Sequence, residues 1–330
     1  SYTKGIKRIQ KGLLTMLTKL KVAIPLILAT IIGFSVQSAF AADTTSWDKP
    51  VATLGTSLSS TQKDATLTVL KNAANVTDYN ELTVTGSTLV KYLDQNQQTF
   101  NANSSVYSSA LIQKNDTATG INVKIVDFNG SNNITTITAD QYKNAALTAG
   151  VTNATIYVTS AVPIDGSGAL AGVYAAFAEN GETLNQAQVT AAQEEMSTLS
   201  DITQANKDTS GYSDAQLNNA VTGAKQDMAE KGDNLTVNQI TTIVNNQLET
   251  NNLTTIINNN QKTQIINLLV KVQDSGALKS DDFKNQAGKL MNNIQSGAKN
   301  IFNKLNTESN RNFIQKLFDS IASFFKGLFN

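Results

Sequence analysis

Residues 153–177 read NATIYVTSAVPIDGSGALAGVYAAF. Ala154–Ser160 has the β-branched and aromatic character of a strand, and the run that ends at Phe177 is apolar, as in a buried helix. Gly166, Ser167 and Gly168 form the turn between them. A strand ending at Ser160 and a helix beginning near Gly168 would present backbone amides at a helix N-terminus, which attracts anions. Gly166, Ser167 and Gly168 are therefore the candidate anion-binding residues. Their spacing favours a packed corner. With Gly172 they run G-x-G-x-x-x-G, one residue off the dinucleotide fingerprint, and no Lys follows as in a phosphate loop. Asp165 and Ala169 stand where a nucleophile elbow at Ser167 needs glycine. As a packed corner, Gly166 and Gly168 make the turn, Ser167 caps the helix, and Gly172 lets the helix lie close to a sheet.

Outward from this corner, residues 81–85, 106–113, 121–128 and 134–137 carry the same β-branched character. Helix starts are marked by Ser/Thr-x-x-Gln, in which the hydroxyl and the amide satisfy each other's end of the first turn. The pattern occurs at Ser59/Gln62, Thr138/Gln141, Thr183/Gln186, Ser213/Gln216 and Thr236/Gln239. No strand pattern follows residue 165. The chain thus reads as α+β or α/β: a mixed-sheet domain over 42–181, then an all-helical region over 182–306. The second region is rich in Asn, Gln and Thr, yet its apolar residues hold a helical period: Leu217, Val221, Ala224 and Met228, then Val237, Ile240, Val244 and Leu248. These stripes are expected to be bundle core.

Both ends of the chain read differently. Six basic residues, from Lys4 to Lys21, precede an apolar run over 22–36, and no acidic residue occurs before Asp43. With Ala39-Phe40-Ala41 supplying a small-x-small cleavage pattern, residues 1–41 are expected to be a secretory signal peptide cut after Ala41. At the other end, 307–330 forms an amphipathic helix pattern. Phe313, Leu317, Phe318, Ile321, Phe324, Phe325 and Leu328 fall on one face, and Arg311, Lys316 and Lys326 on the other. Such a segment either closes over the protein's own core or contacts a membrane surface or partner.

Composition removes much chemistry. The chain has no Cys and no His. That excludes Ser-His-Asp and Cys-His nucleophilic sites and thiolate or imidazole zinc sites. Ser-x-x-Lys spacings occur at Ser46/Lys49, Ser60/Lys63, Ser296/Lys299 and Ser323/Lys326, without the companion motifs of penicillin-recognising enzymes. One loop, Asn206, Asp208, Ser210, Gly211 and Asp214, follows calcium-loop spacing, but Leu217 stands where a bidentate Glu is required. No metal, cofactor or catalytic residue is assigned. Beyond the signal the chain retains 20 basic and 26 acidic residues, a net charge of −6. That field does not suit nucleic acid. Absence of cysteine fits export from a Gram-positive bacterium better than a disulfide-stapled secreted domain.

Several stretches also carry a resemblance: VATLGTSLSSTQKDATLTVL (51–70), TVTGSTLVKYL (83–93), GINVKIVDF (120–128), ITADQYKNAALTAGVTNATIYVTSAVPIDGSGALAGVYAAF (137–177) and the terminal FFKGLF. These resemble the Firmicute family catalogued as domain of unknown function 1002, the YpuA-like exported proteins. Its most specific element holds Tyr142, Ala145, Thr148-Ala149-Gly150 and Gly166 to Gly172. The resemblance implies export and architecture and brings no reaction. The expected protein is a cell-envelope-associated binding protein for a wall polymer, membrane surface or another envelope protein. The alternative is a carboxylate- or metal-dependent extracellular hydrolase using Asp127, Asp165, Glu179 or Glu182.

Overall fold

The computed structural model describes residues 47–115, 119–232 and 234–305. The proposed signal peptide and the C-terminal segment 307–330 lie outside the described residues. The first half builds a five-stranded mixed sheet in the order β2-β1-β3-β5-β4, from β1 (Val51–Gly55), β2 (Asn80–Val84), β3 (Ser108–Lys114), β4 (Ile121–Ile125) and β5 (Ala154–Ser160). β1 and β2 pair in parallel through helix α1 (Ser60–Ala74), and β4 and β5 do so through α3 (Ala139–Ala149). β3 joins the two units and runs antiparallel to both of its neighbours.

Alternation along β3 and β5 splits the sheet's two faces. Leu111 and Tyr157 point to a cluster with Leu70 and Ala74 of α1. Ala110, Ile112, Ile156 and Val158 point the other way, into the main core. That second face is covered by α4 (Ser167–Glu179), which lies across β3 and β1, beside the short α2 (Gly86–Leu93). From Gln186 onward the fold is helical: α5 (Gln186–Asn206), α6 (Asp214–Lys231), α7 (Val237–Thr250), α8 (Asn259–Asp274), α9 (Phe283–Gly297) and α10 (Lys299–Leu305). These helices pack on α3 and on one another, and a single apolar cluster runs from Val51 to Ile294. The change from sheet to helix near Gly181 is therefore a change of secondary structure over one continuous core.

Local chemistry sets most boundaries. Reciprocal capping boxes open α1 at Ser59, α3 at Thr138 and α7 at Thr236. Two further boxes escape the Ser/Thr-x-x-Gln pattern, at Thr85/Thr88 and Asn258/Gln261. The structure departs from expectation at four places. Asn185, not Thr183, caps α5, because its carboxamide oxygen reaches the Ala187 and Gln188 amides. Residues 134–137 form no strand; one bridge joins Ile134 to Ile164 before Thr138 starts α3. β1 is a strand that alternation did not reveal, since all five of its residues are buried. Val237, placed on the α7 stripe, is 57% exposed at the helix's first residue, while Ile240, Val244 and Leu248 are buried.

Candidate functional site

The glycine-rich corner is tightly occupied. Gly166, with φ +105°, is the residue before α4 and makes no side-chain cap. Ser167 is the first helical residue, so the expected Ser167 cap is corrected: its hydroxyl donates to Asp165 Oδ2 at 2.6 Å and its amide to Oδ1 at 3.1 Å. The next turn is engaged by the sheet, since Ala169 N–H donates to Ser108 Oγ at 2.9 Å. Gly168 brings the helix so close that a Cβ would lie 2.8 Å from Ser108 Oγ. At Gly172 a Cβ would collide with Thr53 of β1 and lie 3.2 Å from Val84 Cγ2. Tyr142 of α3 closes the corner from behind, its hydroxyl donating to Gly166 O at 2.7 Å. Burial, then the charge of Asp165, pushes that phenol well above its ordinary range and keeps it a donor.

The four acidic residues singled out from sequence do not converge. Asp165 and Glu182 flank opposite ends of α4, whose 13 residues span about 20 Å. Asp127 and Glu179 are exposed. Glu182 is held by Trp47 Nε1 at 2.8 Å and by Lys114 Nζ at 3.1 Å. Lys114 also sits 4.8 Å from the centroid of the Phe177 ring, which Trp47 meets edge-on at 4.9 Å. In the Ser-x-x-Lys pairs, Lys49 and Lys63 are ion-paired to Asp78 and Glu81. The segment with Phe313, Leu317, Phe318, Ile321, Phe324, Phe325 and Leu328 lies outside the described residues.

Two polar constellations were not foreseen. The first is buried between α3, α5 and α6: Lys225 Nζ lies 2.9 Å from Glu195 Oε1, and both side chains are fully inaccessible. Thr148 donates to Glu195 Oε2 at 2.9 Å and accepts from Lys225 at 3.1 Å. Asn144, Asn218 and Thr222 extend the network. Burial raises the Glu195 pKa and lowers that of Lys225, while each partner opposes the shift in the other. A signal existed in sequence: each residue interrupts an apolar helical stripe, Val189/Ala192/Met196/Leu199 and Leu217/Val221/Ala224/Met228.

The second constellation floors a cleft of about 700 Å³, where edge strand β4 meets the N-termini of α3 and α6 and the end of α9. Asp214, the first residue of α6, accepts from Thr138 Oγ1 at 2.6 Å, Thr203 Oγ1 at 3.1 Å and Gln141 Nε2 at 3.4 Å. This is the Asp214 of the calcium-like loop; its carboxylate turns to α3 and α5. Burial is the main cause that pushes its pKa up to about 6, the threonine hydrogen bonds oppose this, and the charge of Asp140 adds to it. Asp140 pairs with Lys143 at 2.9 Å. Asn122, Ser213, Asn293 and Ser296 bring further amides and hydroxyls to the walls. Among the described residues no cluster of three or more metal-ligating side chains forms, and no helix is long and apolar enough to cross a membrane.

Fold and site together define an α+β protein with a mixed sheet, a helical layer on α3 and a polar cleft at the sheet edge. The chain belongs to the family described as protein of unknown function (DUF1002), whose pattern matches residues 54–290. That match runs from β1 into α9, across sheet and helical layer alike. The chain is also 25% identical over 317 residues to the uncharacterized protein YpuA of Bacillus subtilis strain 168, covering 93% of this chain and 98% of that one. No solved structure matches.

Proposed function

We propose that the protein is exported and acts at the outer face of the cell envelope as a binding protein, with the polar cleft beside β4 as its ligand face. The carrying observation is the state of the two carboxylates that line this cleft. Asp214 is engaged by three protein donors and Asp140 by Lys143, which leaves amides and hydroxyls to meet a ligand. Donors and acceptors fixed in this way suit a neutral, hydroxyl- and amide-rich wall polymer. The basic and apolar pattern over residues 4–36, with Ala39-Phe40-Ala41 after it, supports export. Residues 307–330 are the proposed membrane or partner contact.

Cell fractionation with N-terminal sequencing tests export: the expected product starts at Ala42 outside the cytoplasm, and an intact cytoplasmic chain overturns it. Sedimentation with purified wall material tests binding, which Asn293→Ala and Ser296→Ala should weaken together. Deleting 307–330 should lower co-sedimentation with anionic vesicles in a salt-sensitive way if that segment makes the membrane contact.

A hydrolase is the second reading. Its support is that Asp214, raised to about 6, lines the cleft with the ion-paired Asp140, a pairing of unlike carboxyl groups suited to acid-base work. Release of soluble fragments from wall polymer, abolished by Asp140→Asn, would replace the binding reading with this one.

A further inference from the structure

Nine lysines among the described residues are held by a carboxylate or a tyrosine ring. Lys49, Lys63, Lys114, Lys143, Lys225 and Lys271 each lie within 3.1 Å of a carboxylate. Lys71, Lys91 and Lys124 sit over tyrosine rings. None of the ion pairs formed among the described residues includes Lys284 or Lys289 of α9. The 23 residues from Phe283 to Leu305 hold four lysines and no acid, in a chain with 26 acidic residues. The charge is segregated there.

Lys284 and Lys289 line one groove of about 420 Å³ between α6 and α9. Its other polar lining groups are the carboxamides of Gln226, Asn285, Asn292 and Gln295, and no carboxylate lines it. Gly288 opens its floor: a Cβ there would lie 3.2 Å from Gln226 Nε2. The stem of Lys289 is set against Gly120. Lys284 is the second residue of α9, where a cation opposes the helix dipole. Helix stability therefore does not explain its position. An adjoining hollow of about 250 Å³ shares Lys284 and is lined as well by Lys279 and Asp281.

We propose that the α6/α9 groove binds a phosphate-ester anion, with Lys284 and Lys289 as its cationic contacts and the surrounding carboxamides as hydrogen-bond donors. An ammonium group is a compact point charge with three rotatable donors, able to hold a phosphate oxygen without a fixed fork geometry. The two lysines are separated by about 7.5 Å along the helix axis, a span that lets both reach one phosphate ester or two successive ones. The groove is distinct from the cleft beside β4 and does not depend on the reading given to that cleft.

Titration of the full chain with sn-glycerol 3-phosphate, followed by amide and side-chain NMR shifts, tests the assignment. Binding should weaken at least tenfold in Lys284→Gln/Lys289→Gln, fall with added salt, and be unchanged by Asp140→Asn. Lys284→Gln alone changes an exposed side chain and should weaken binding without lowering the melting temperature. A parallel arm uses phosphatidylglycerol and phosphatidylcholine vesicles. Lysine-dependent binding to anionic vesicles together with weak soluble binding assigns a lipid headgroup; tight soluble binding assigns a free ester. Failure of the wild-type chain to bind either probe, or equal binding by the double variant, overturns the proposal.

Discussion

The Tyr142 hydroxyl and the Gly166 carbonyl meet at 2.7 Å across 24 residues of chain, and this bond locks α3 to the turn that launches α4. Tyr142→Phe removes the donor and leaves a buried carbonyl without its partner, which should cost about 1–3 kcal/mol. Gly166→Ala should cost more. It places a side chain at φ +105° and drives its Cβ into the Tyr142 hydroxyl. Chemical denaturation of both variants checks the order, and a Gly166→Ala chain as stable as wild type would defeat it.

Gly172 is a second close approach, set by packing with no demand on φ. Gly172→Val should destabilise by roughly 1–3 kcal/mol through overpacking against Thr53 and Val84. The companion change Thr53→Ala removes the nearest obstacle and should recover part of that loss. Additive losses in the double variant would show that the clash lies elsewhere.

The Glu195–Lys225 pair should behave asymmetrically. Lys225→Met alone strands a buried carboxylate and should cost about 3–5 kcal/mol, whereas Glu195→Leu/Lys225→Met restores much of it. Thermal melts of the two single variants and the double variant measure the coupling. A double variant less stable than either single would contradict this account.

Asp214 should make stability depend on pH. Its folded-state pKa of about 6 lies above the unfolded value of about 3.9. The proton is held more tightly in the folded chain, so this contribution is fully present below about pH 3.9 and is lost as pH rises through 6. The stability of wild type relative to Asp214→Asn should therefore fall between pH 4 and 7 and level off above it. A difference that stays flat across that window would remove the assignment.

Trp47 is the single tryptophan of the chain, and its indole is pinned by Glu182 and Phe177. Glu182→Ala should shift its emission to the red while far-ultraviolet circular dichroism stays constant. An unshifted spectrum would mean that the aromatic contact alone holds the ring.

Sequence by itself determined the class of the fold, the starts capped by Ser59, Thr138, Ser213 and Thr236, and the family. Each of these rests on residues close together in the chain: a capping hydroxyl and an amide three positions on, or the β-branched run Ala154–Ser160. β1 was missed for the same reason, because a five-residue strand buried on both faces shows no alternation. The tertiary structure decided the rest. It turned Ser167 from a cap into a partner of Asp165, held Asp165 and Glu182 apart at the two ends of α4, and joined Glu195 to Lys225 and Asp214 to Thr138. It also left the lysines of α9 facing a groove of amides. A charge that interrupts an apolar stripe can be seen in the sequence, but which charges meet is set by how helices dock, and docking is settled by the shared core that runs from Val51 to Ile294.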